Sequence, residues 1–367
     1  ASLSGRELWS RIEALAAGLQ ASGIGRGDRV AIEMERSTAA VVAIVATMLA
    51  GASYVPIDPT QPTARRERLI ARAGCTLVLR DSADFPKASA TFERPQVGDD
   101  DEAYLLFTSG STGEPKGVPI SHRGLADYVS FAVDSYLPSD EPPVVALFSA
   151  LTFDLTVTSL FLPLVAGGRS IVVRDDGPLA MAQIAAATDV TWCKATPSHL
   201  ELLVRLLPPE HQLATLVVGG EAFTTSLARR LRRVLPDVRI FNEYGPTEAV
   251  VGCMIHEWVD DEFPTSADVP IGTPAPGVEL RVLDRYGHDV PPGAVGELHI
   301  SRRGLTAGYL DGDGRAFRTD RGRRWYRSGD LVRLLDDETL VYLRRVDEQL
   351  KVGGIRLDPS EIEAALE

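Results

Sequence analysis

Short apolar segments that recur just ahead of amphipathic stretches constrain this chain more than any other feature. "RVAIEM" (29–34) precedes a helical pattern near 38–50, "TWCKAT" (191–196) precedes "SHLELLVRLL", and "ATLVVGG" (214–220) precedes "TSLARRLRRVL". A strand followed by a crossover helix pairs in parallel with the next strand. The expected fold class is therefore α/β, with layered, largely parallel sheets flanked by helices. Each unit ends its strand at one edge of a sheet, where open α/β folds place their ligands. From about residue 270 the pattern changes to short strands and turns, "GVELRVLD", "GELHIS" and "ETLVYL", which predicts a smaller β-rich subdomain over about 270–347.

A chain of 367 residues is too long for one ordinary core, so two or more packed units are expected. Lys and Arg number 38 against 51 Asp and Glu, a net charge of −13 that argues against nucleic acid or an anionic membrane as the main ligand. Any anion must then be held by local geometry. Cys75, Cys193 and Cys253 are odd in number and far apart, so neither a disulfide framework nor a zinc site is indicated, and a reducing cytoplasm fits best. The uncharged run 39–57 is long enough to span a bilayer, but Gly51 punctuates it, and helix, turn and buried strand is the favoured reading. No signal-peptide pattern opens the sequence, and "DPSEIEAALE" at its end, with Asp358 or Ser360 as a helix cap, begins something the chain does not finish. The natural protein is expected to be longer.

The apolar run Tyr104–Phe107 leads into "TSGSTGEPKG" (108–117), with four hydroxyl side chains, three glycines and one lysine. Phosphate binding by a loop needs backbone N–H groups aimed at one spot, small side chains and a cation. Gly110, Gly113 and Gly117 supply the backbone freedom, Thr108, Ser109, Ser111 and Thr112 the hydroxyl donors, and Lys116 the charge. Pro115 before Lys116 and Gly117 after it depart from the Walker pattern. Composition alone leaves a solvated hairpin tip open as the other reading.

This loop resembles the phosphate-binding signature of the adenylate-forming superfamily: acyl-CoA synthetases, luciferases and adenylation domains of nonribosomal peptide synthetases. "MLAGASYVPIDPTQP" (48–62), "FNEYGPTEAVVG" (241–252), "GELHISRRGLTAGYL" (296–310), "YRSGDLVR" (326–333) and "RRVDEQLKVGGIRLDPSEIE" (344–363) resemble its further motifs in order. The resemblance implies the large-domain fold of an adenylate-forming enzyme over residues 1–347, with 348–367 as the hinge exit and start of a C-terminal lid. The lid's catalytic lysine would lie beyond residue 367, so weak activity is expected of this stretch alone.

Several roles follow from the resemblance together with residue chemistry. Tyr244 can stack on a base beside Gly245, and Asn242 can pair with an adenine edge through its amide. Glu248 is a hard oxygen ligand suited to Mg²⁺ on ATP, with Thr247 adding a hydroxyl; as bare sequence, "NEYGPTE" would be a turn with a chance acid. Asp330 matches the family's ribose-binding aspartate, Arg345 its nucleotide-contacting arginine, and Asp347 the hinge about which the lid rotates. Arg344 stands where a glycine is common, and Gly353 where an arginine is common. His122 and Lys351 also resemble family positions or are ordinary surface residues.

"LTFDLTVTSLFLPLVAGG" (151–168) resembles the substrate motif of the amino-acid-activating branch, in which the Asp after Phe153 pairs with the α-ammonium. Asp154 holds that place; a helix-capping or surface Asp is the other reading. The remaining pocket positions carry over to Leu155, Thr158, Lys194, Val217, Gly219, Glu243, Val251 and Gly252. Lys194 falls in an apparent buried strand and needs a partner. With Lys194 donating and Glu243 accepting, the pair matches a primary amide, whereas an aspartate carboxylate would set two acids against one lysine. Asparagine, or a β-substituted asparagine, is favoured, and an internal ion pair unrelated to ligand stays open. The implied cofactors are ATP and Mg²⁺. The implied partners are the amino acid and a peptidyl carrier protein with its phosphopantetheine arm, with a small helper protein left open; neither nucleic acid nor membrane is expected. A stand-alone acyl- or aryl-CoA ligase and a non-catalytic nucleotide-binding module are the competing functions. Asp154 speaks against the first, and Lys116, Glu248 and Asp330 against the second.

Overall fold

The computed structural model describes residues 2–87, 91–109, 114–137, 141–259, 267–312, 316–335 and 339–347, and the backbone of 350–352 and 355–357. Parallel pairing dominates two of its sheets. In the first, the strands run in the order Leu77–Leu79, Arg29–Ile32, Ser53–Pro56, Glu102–Thr108 and Lys116–Ser121, with only the last pair antiparallel. The second orders Arg239–Tyr244, Thr215–Gly219, Trp192–Ala195, Val144–Leu147 and Arg169–Val172 in parallel. Met254–Glu257 and Thr273–Pro274 extend its edge antiparallel.

Local chemistry sets the element boundaries. The segment weighed as a membrane span is the helix Thr38–Leu49, capped by the Ser37 hydroxyl on the Ala40 N–H, followed by the strand Ser53–Pro56. Among the described residues no helix is long and apolar enough to cross a membrane. Thr196 and His199 form a reciprocal cap that starts the helix Pro197–Leu203 directly after the strand Trp192–Ala195. Gly74, at φ 64°, closes the helix Thr63–Ala73 in the left-handed region that glycine tolerates.

Thr273–Pro274 still pairs with the second sheet, and the antiparallel β-rich unit begins at Val278. Its strands are Val278–Leu283, Val295–Arg302, Arg323–Leu334, Phe317–Asp320 and Leu340–Arg345, all antiparallel. Leu350–Val352 and Ile355–Leu357 then form a separate two-stranded hairpin. The C-terminal helical pattern and its cap, Asp358 or Ser360, lie outside the described residues, as does Gly353.

One apolar core runs from Ile12 through Tyr54, Tyr128 and Phe241 to Leu298 and Val332, joining the helix Gly5–Ala21, both parallel sheets and the antiparallel sheet. A second core packs Met181, Leu200, Leu227 and Trp258 on the opposite face of the second sheet. Each fully buried large apolar side chain contributes about 1.5–3 kcal/mol. The continuity of the first core fixes the three sheets against one another, and that arrangement brings their ends to one place.

Candidate active site

The carboxyl ends of both parallel sheets open onto a single cleft of about 1280 Å³. Thr108 and Ser109 reach it from the first sheet, Lys194, Gly219 and Glu243 from the second, and Asp330 and Arg345 from the antiparallel sheet. This is the edge at which the strand-helix alternation expects a ligand.

One half of the cleft suits a nucleotide. The hydroxyls of Thr108 and Ser109 are buried with no hydrogen-bond partner among the described residues, so both remain able to donate to an incoming anion. Gly110, Ser111, Thr112 and Gly113 lie outside the described residues. Lys116 opens the next strand with its ammonium 5.0 Å over the ring of Tyr309. Across the cleft the Tyr244 hydroxyl donates to Asp330 Oδ2, and Arg345 donates to Asp330 Oδ1 at 3.1 Å and to the Ser328 carbonyl at 2.6 Å. Asp347 accepts two further bonds from Arg345 at 2.8 and 2.6 Å, so the expected hinge residue clamps the expected nucleotide arginine.

Two residues of this half make contacts that bear on their expected roles. Asn242 lines the cleft beside Gly245, but its amide nitrogen donates to the carbonyls of Val269 at 3.0 Å and Pro270 at 2.8 Å. Both amide protons are committed, so only its oxygen is left for an adenine edge. Glu248 is wholly buried, its Oε1 accepting from the Tyr309 hydroxyl at 2.7 Å, and it is Pro246 and Thr247 beside it that line the cleft. That bond engages Oε1 of a carboxylate directly next to the cleft-lining Thr247.

The other half is deeper and holds the residues expected to select an amino acid. Asp154 occupies the N-cap position of the helix Leu155–Val165, yet its side chain makes no capping bond. It accepts instead from the Thr247 hydroxyl at 2.6 Å, tying the two motifs together at the cleft wall next to Phe153 and Leu155. The capping reading of Asp154 is thereby set aside.

Lys194 and Glu243 stand on strands separated by Thr215–Gly219. Lys194 pairs in register with Val217 and Glu243 with Gly219. Gly219 has no side chain to intervene, so the ammonium reaches Glu243 Oε1 at 2.5 Å across the middle strand, with both side chains only 2% exposed. Its other two N–H groups go to the Tyr128 and Thr158 hydroxyls, each at 3.0 Å. Glu243 Oε2 accepts from Tyr136 at 2.5 Å and Tyr128 at 3.1 Å. Burial, reinforced by the charge of Glu243, holds both tyrosine pKa values well above the usual range, so both stay donors.

The picture of a substrate amide lying between Lys194 and Glu243 is therefore corrected. The two charges touch directly as an internal ion pair, and both line the cleft. Thr158 and Val217 stand behind the lining residues. Val251 lines the cleft, and Gly252 packs so tightly that an added Cβ would fall 2.3 Å from Glu243 Cδ.

Tyr128 and Tyr136 were not anticipated. Their only sequence signal is two tyrosines on the otherwise apolar buried side of the helix His122–Tyr136. Strand alternation would have located the pocket face, since Phe241 and Glu243 point to one side of the sheet and Asn242 and Tyr244 to the other. The ring contact of Tyr136 with Phe241, centroids 5.2 Å apart, lies on the Glu243 side.

With this geometry in place, comparison with known proteins is direct. Residues 1–97 and 80–310 match the family described as AMP-binding enzyme. Bacitracin synthase 3 of Bacillus licheniformis is 38% identical over 99% of this chain, and tyrocidine synthase 3 of Brevibacillus parabrevis 37% over 99%. This chain spans 6% of the length of each of those two relatives. PA1221, a solved nonribosomal peptide synthetase protein containing adenylation and PCP domains, superposes with a TM-score of 0.89 at 28% identity, covering 100% of this chain and 78% of that one. The N-terminal subdomain of Klebsiella oxytoca NpsA, solved with 3-hydroxybenzoyl-AMSN, gives 0.82 at 26% identity and 94% coverage of both chains. The chain belongs to the AMP-binding enzyme family, as an adenylation domain of the nonribosomal peptide synthetase type.

Proposed function

We propose that this chain joins an amino acid to ATP, releasing pyrophosphate and forming an aminoacyl-adenylate, and that the amino acid is L-asparagine or a β-substituted asparagine. The observation that carries the reading is the Lys194–Glu243 pair, buried in the wall of the same cleft as the carboxylate of Asp154, which accepts from Thr247 and makes no helix-capping bond. Asp154 receives the α-ammonium, which orients the α-carboxylate toward the nucleotide half of the cleft. Glu243, already holding three donors, accepts from the side-chain amide N–H, while Lys194 turns one proton from Thr158 or Tyr128 to the amide oxygen. An aspartate side chain would bring a second carboxylate against Glu243 and be repelled.

On the nucleotide side, Asp330 has lone pairs remaining for ribose hydroxyls and Tyr244 offers its ring. Thr108 and Ser109 donate to the phosphates. Nearly all of the protein's contribution is alignment and charge neutralisation. Mg²⁺ on ATP would supply charge neutralisation in chemistry of this class, with Glu248, next to the cleft-lining Thr247, as the carboxylate that would hold it. The aminoacyl group then passes from the adenylate to the phosphopantetheine thiol of a peptidyl carrier protein, forming a thioester with AMP as the leaving group, a reading supported by neighbours that carry adenylation and PCP domains together.

ATP–pyrophosphate exchange by the full-length enzyme across all amino acids tests the proposal. Asparagine is expected to rank first. Aspartate or an apolar amino acid ranking first would sink the substrate assignment, and exchange with none of them would sink the activity.

A further inference from the structure

Val250 and Val251 have φ of 64° and 61°. These are left-handed conformations that β-branched residues adopt only when the surroundings force them, at about 1–3 kcal/mol each. Both sit in the segment joining the antiparallel strands Arg239–Tyr244 and Met254–Glu257, and that segment delivers Val251 to the cleft and Gly252 to Glu243.

Arg302 supplies the force. It ends the strand Val295–Arg302 of the antiparallel sheet, and its Nη1 donates to the carbonyls of Ala249 at 2.9 Å, Gly252 at 3.3 Å and Val250 at 3.4 Å. One guanidinium nitrogen thus gathers three carbonyls from four consecutive residues, which an ordinary helical or extended segment would not present to one point. The same stretch of chain supports the turn again through the Thr306 N–H, which donates to the Glu248 carbonyl at 3.1 Å, and through Gly304, packed on Gly124 beneath Val250.

We infer that Arg302 is a positioning residue for the amino-acid pocket: it holds 249–252 in a strained left-handed turn that sets where Val251 lines the cleft and where Gly252 backs Glu243. The inference rests on the proposed function insofar as Val251 and Glu243 face an amino acid. Arg302 itself does not line the cleft, so its loss should act on the amino acid and not on ATP.

The test uses the full-length enzyme with Arg302→Met, Arg302→Lys, Val250→Gly and the Arg302→Met/Val250→Gly pair. In ATP–pyrophosphate exchange, Arg302→Met should raise the KM for the amino acid about tenfold, the equivalent of one strained residue, and leave the KM for ATP within about twofold. Arg302→Lys should restore most of it, since an ammonium can also collect carbonyls, and Val250→Gly should restore it independently because glycine adopts φ 64° without strain. Equal shifts in both KM values, no shift in either, or failure of both rescues would overturn the proposal. Urea denaturation of the same four variants reads the clamp apart from activity: Val250→Gly should recover most of the midpoint lost in Arg302→Met, and additive losses would overturn the clamp. Exchange with no amino acid by the wild type would overturn the pocket half together with the proposed function, whereas a coupled denaturation result would still uphold the clamp.

Discussion

Replacing Lys194 by Met should be among the most damaging single changes in this chain. Met keeps the aliphatic volume but removes all three donations of the ammonium, to Glu243, Tyr128 and Thr158. Removing one partner of a buried ion pair costs roughly 3–5 kcal/mol, because the other charge is left in the interior. Two features pull the estimate toward the lower end. Glu243 keeps the Tyr136 and Tyr128 hydroxyls, and Tyr128 and Thr158 remain 2.5 Å apart and satisfy each other. A loss of about 3 kcal/mol is expected. Lys194→Met/Glu243→Leu removes both charges and orphans chiefly the Tyr136 hydroxyl, at about 1–3 kcal/mol. The double variant should therefore be no worse than either single one, a coupling of at least about 2 kcal/mol. Urea denaturation followed by circular dichroism measures it, provided the slope of the transition is unchanged. A loss below about 1 kcal/mol for Lys194→Met, or additive single effects, would refute the closed-pair description.

Other outcomes follow from the same geometry. Asp154→Asn should raise the amino-acid KM by about tenfold or more while leaving that for ATP nearly unchanged, as measured by substrate titration in the exchange assay. Tyr136→Phe removes one of three donors from Glu243 and should lower the preference for asparagine over aspartate several-fold; an unchanged ratio in competition assays would contradict it. Gly252→Ala should lose activity or stability outright, because the new methyl would fall 2.3 Å from Glu243 Cδ; a wild-type crystal structure and activity for this variant would disprove the packing. His299 is buried, and burial lowers its pKa from 6.5 to about 4. The unfolded chain then binds the extra proton first, so stability falls as pH drops from 6.5 toward about 4, and His299→Gln should flatten that slope in pH-dependent melting.

The α/β layering was legible in the sequence because a buried parallel strand followed by an amphipathic helix leaves two distinct periodicities. The positions of Asp154, Lys194, Glu243, Tyr244 and Asp330 followed from motif order, and all five meet in the cleft. What the sequence could not carry was partner choice in three dimensions. Lys194 and Glu243 lie 49 residues apart, and nothing local says that Gly219 lets them touch across an intervening strand or that two tyrosines from a different helix close the cluster. The commitment of Asn242 to the Val269 and Pro270 carbonyls, and the burial of Glu248 under Tyr309, likewise depend on segments far away in the chain. Arg302 escaped notice because one arginine at the end of an exposed-looking strand carries no signal until the turn it grips is seen.

Adjacent residues of one strand, Glu243 and Tyr244, face opposite sides of the sheet, the first toward the deep pocket and the second toward Asp330. That pleat is a partition one peptide thick. On the proposed function, substrate choice would be rewritten on the Glu243 side by exchanging side chains, with the nucleotide machinery on the Tyr244 side untouched. A single inserted or deleted residue in the strand would trade the two faces and destroy both sites at once. Recoding such an enzyme by substitution is therefore permitted by its architecture, and recoding it by changes of length in this strand is not.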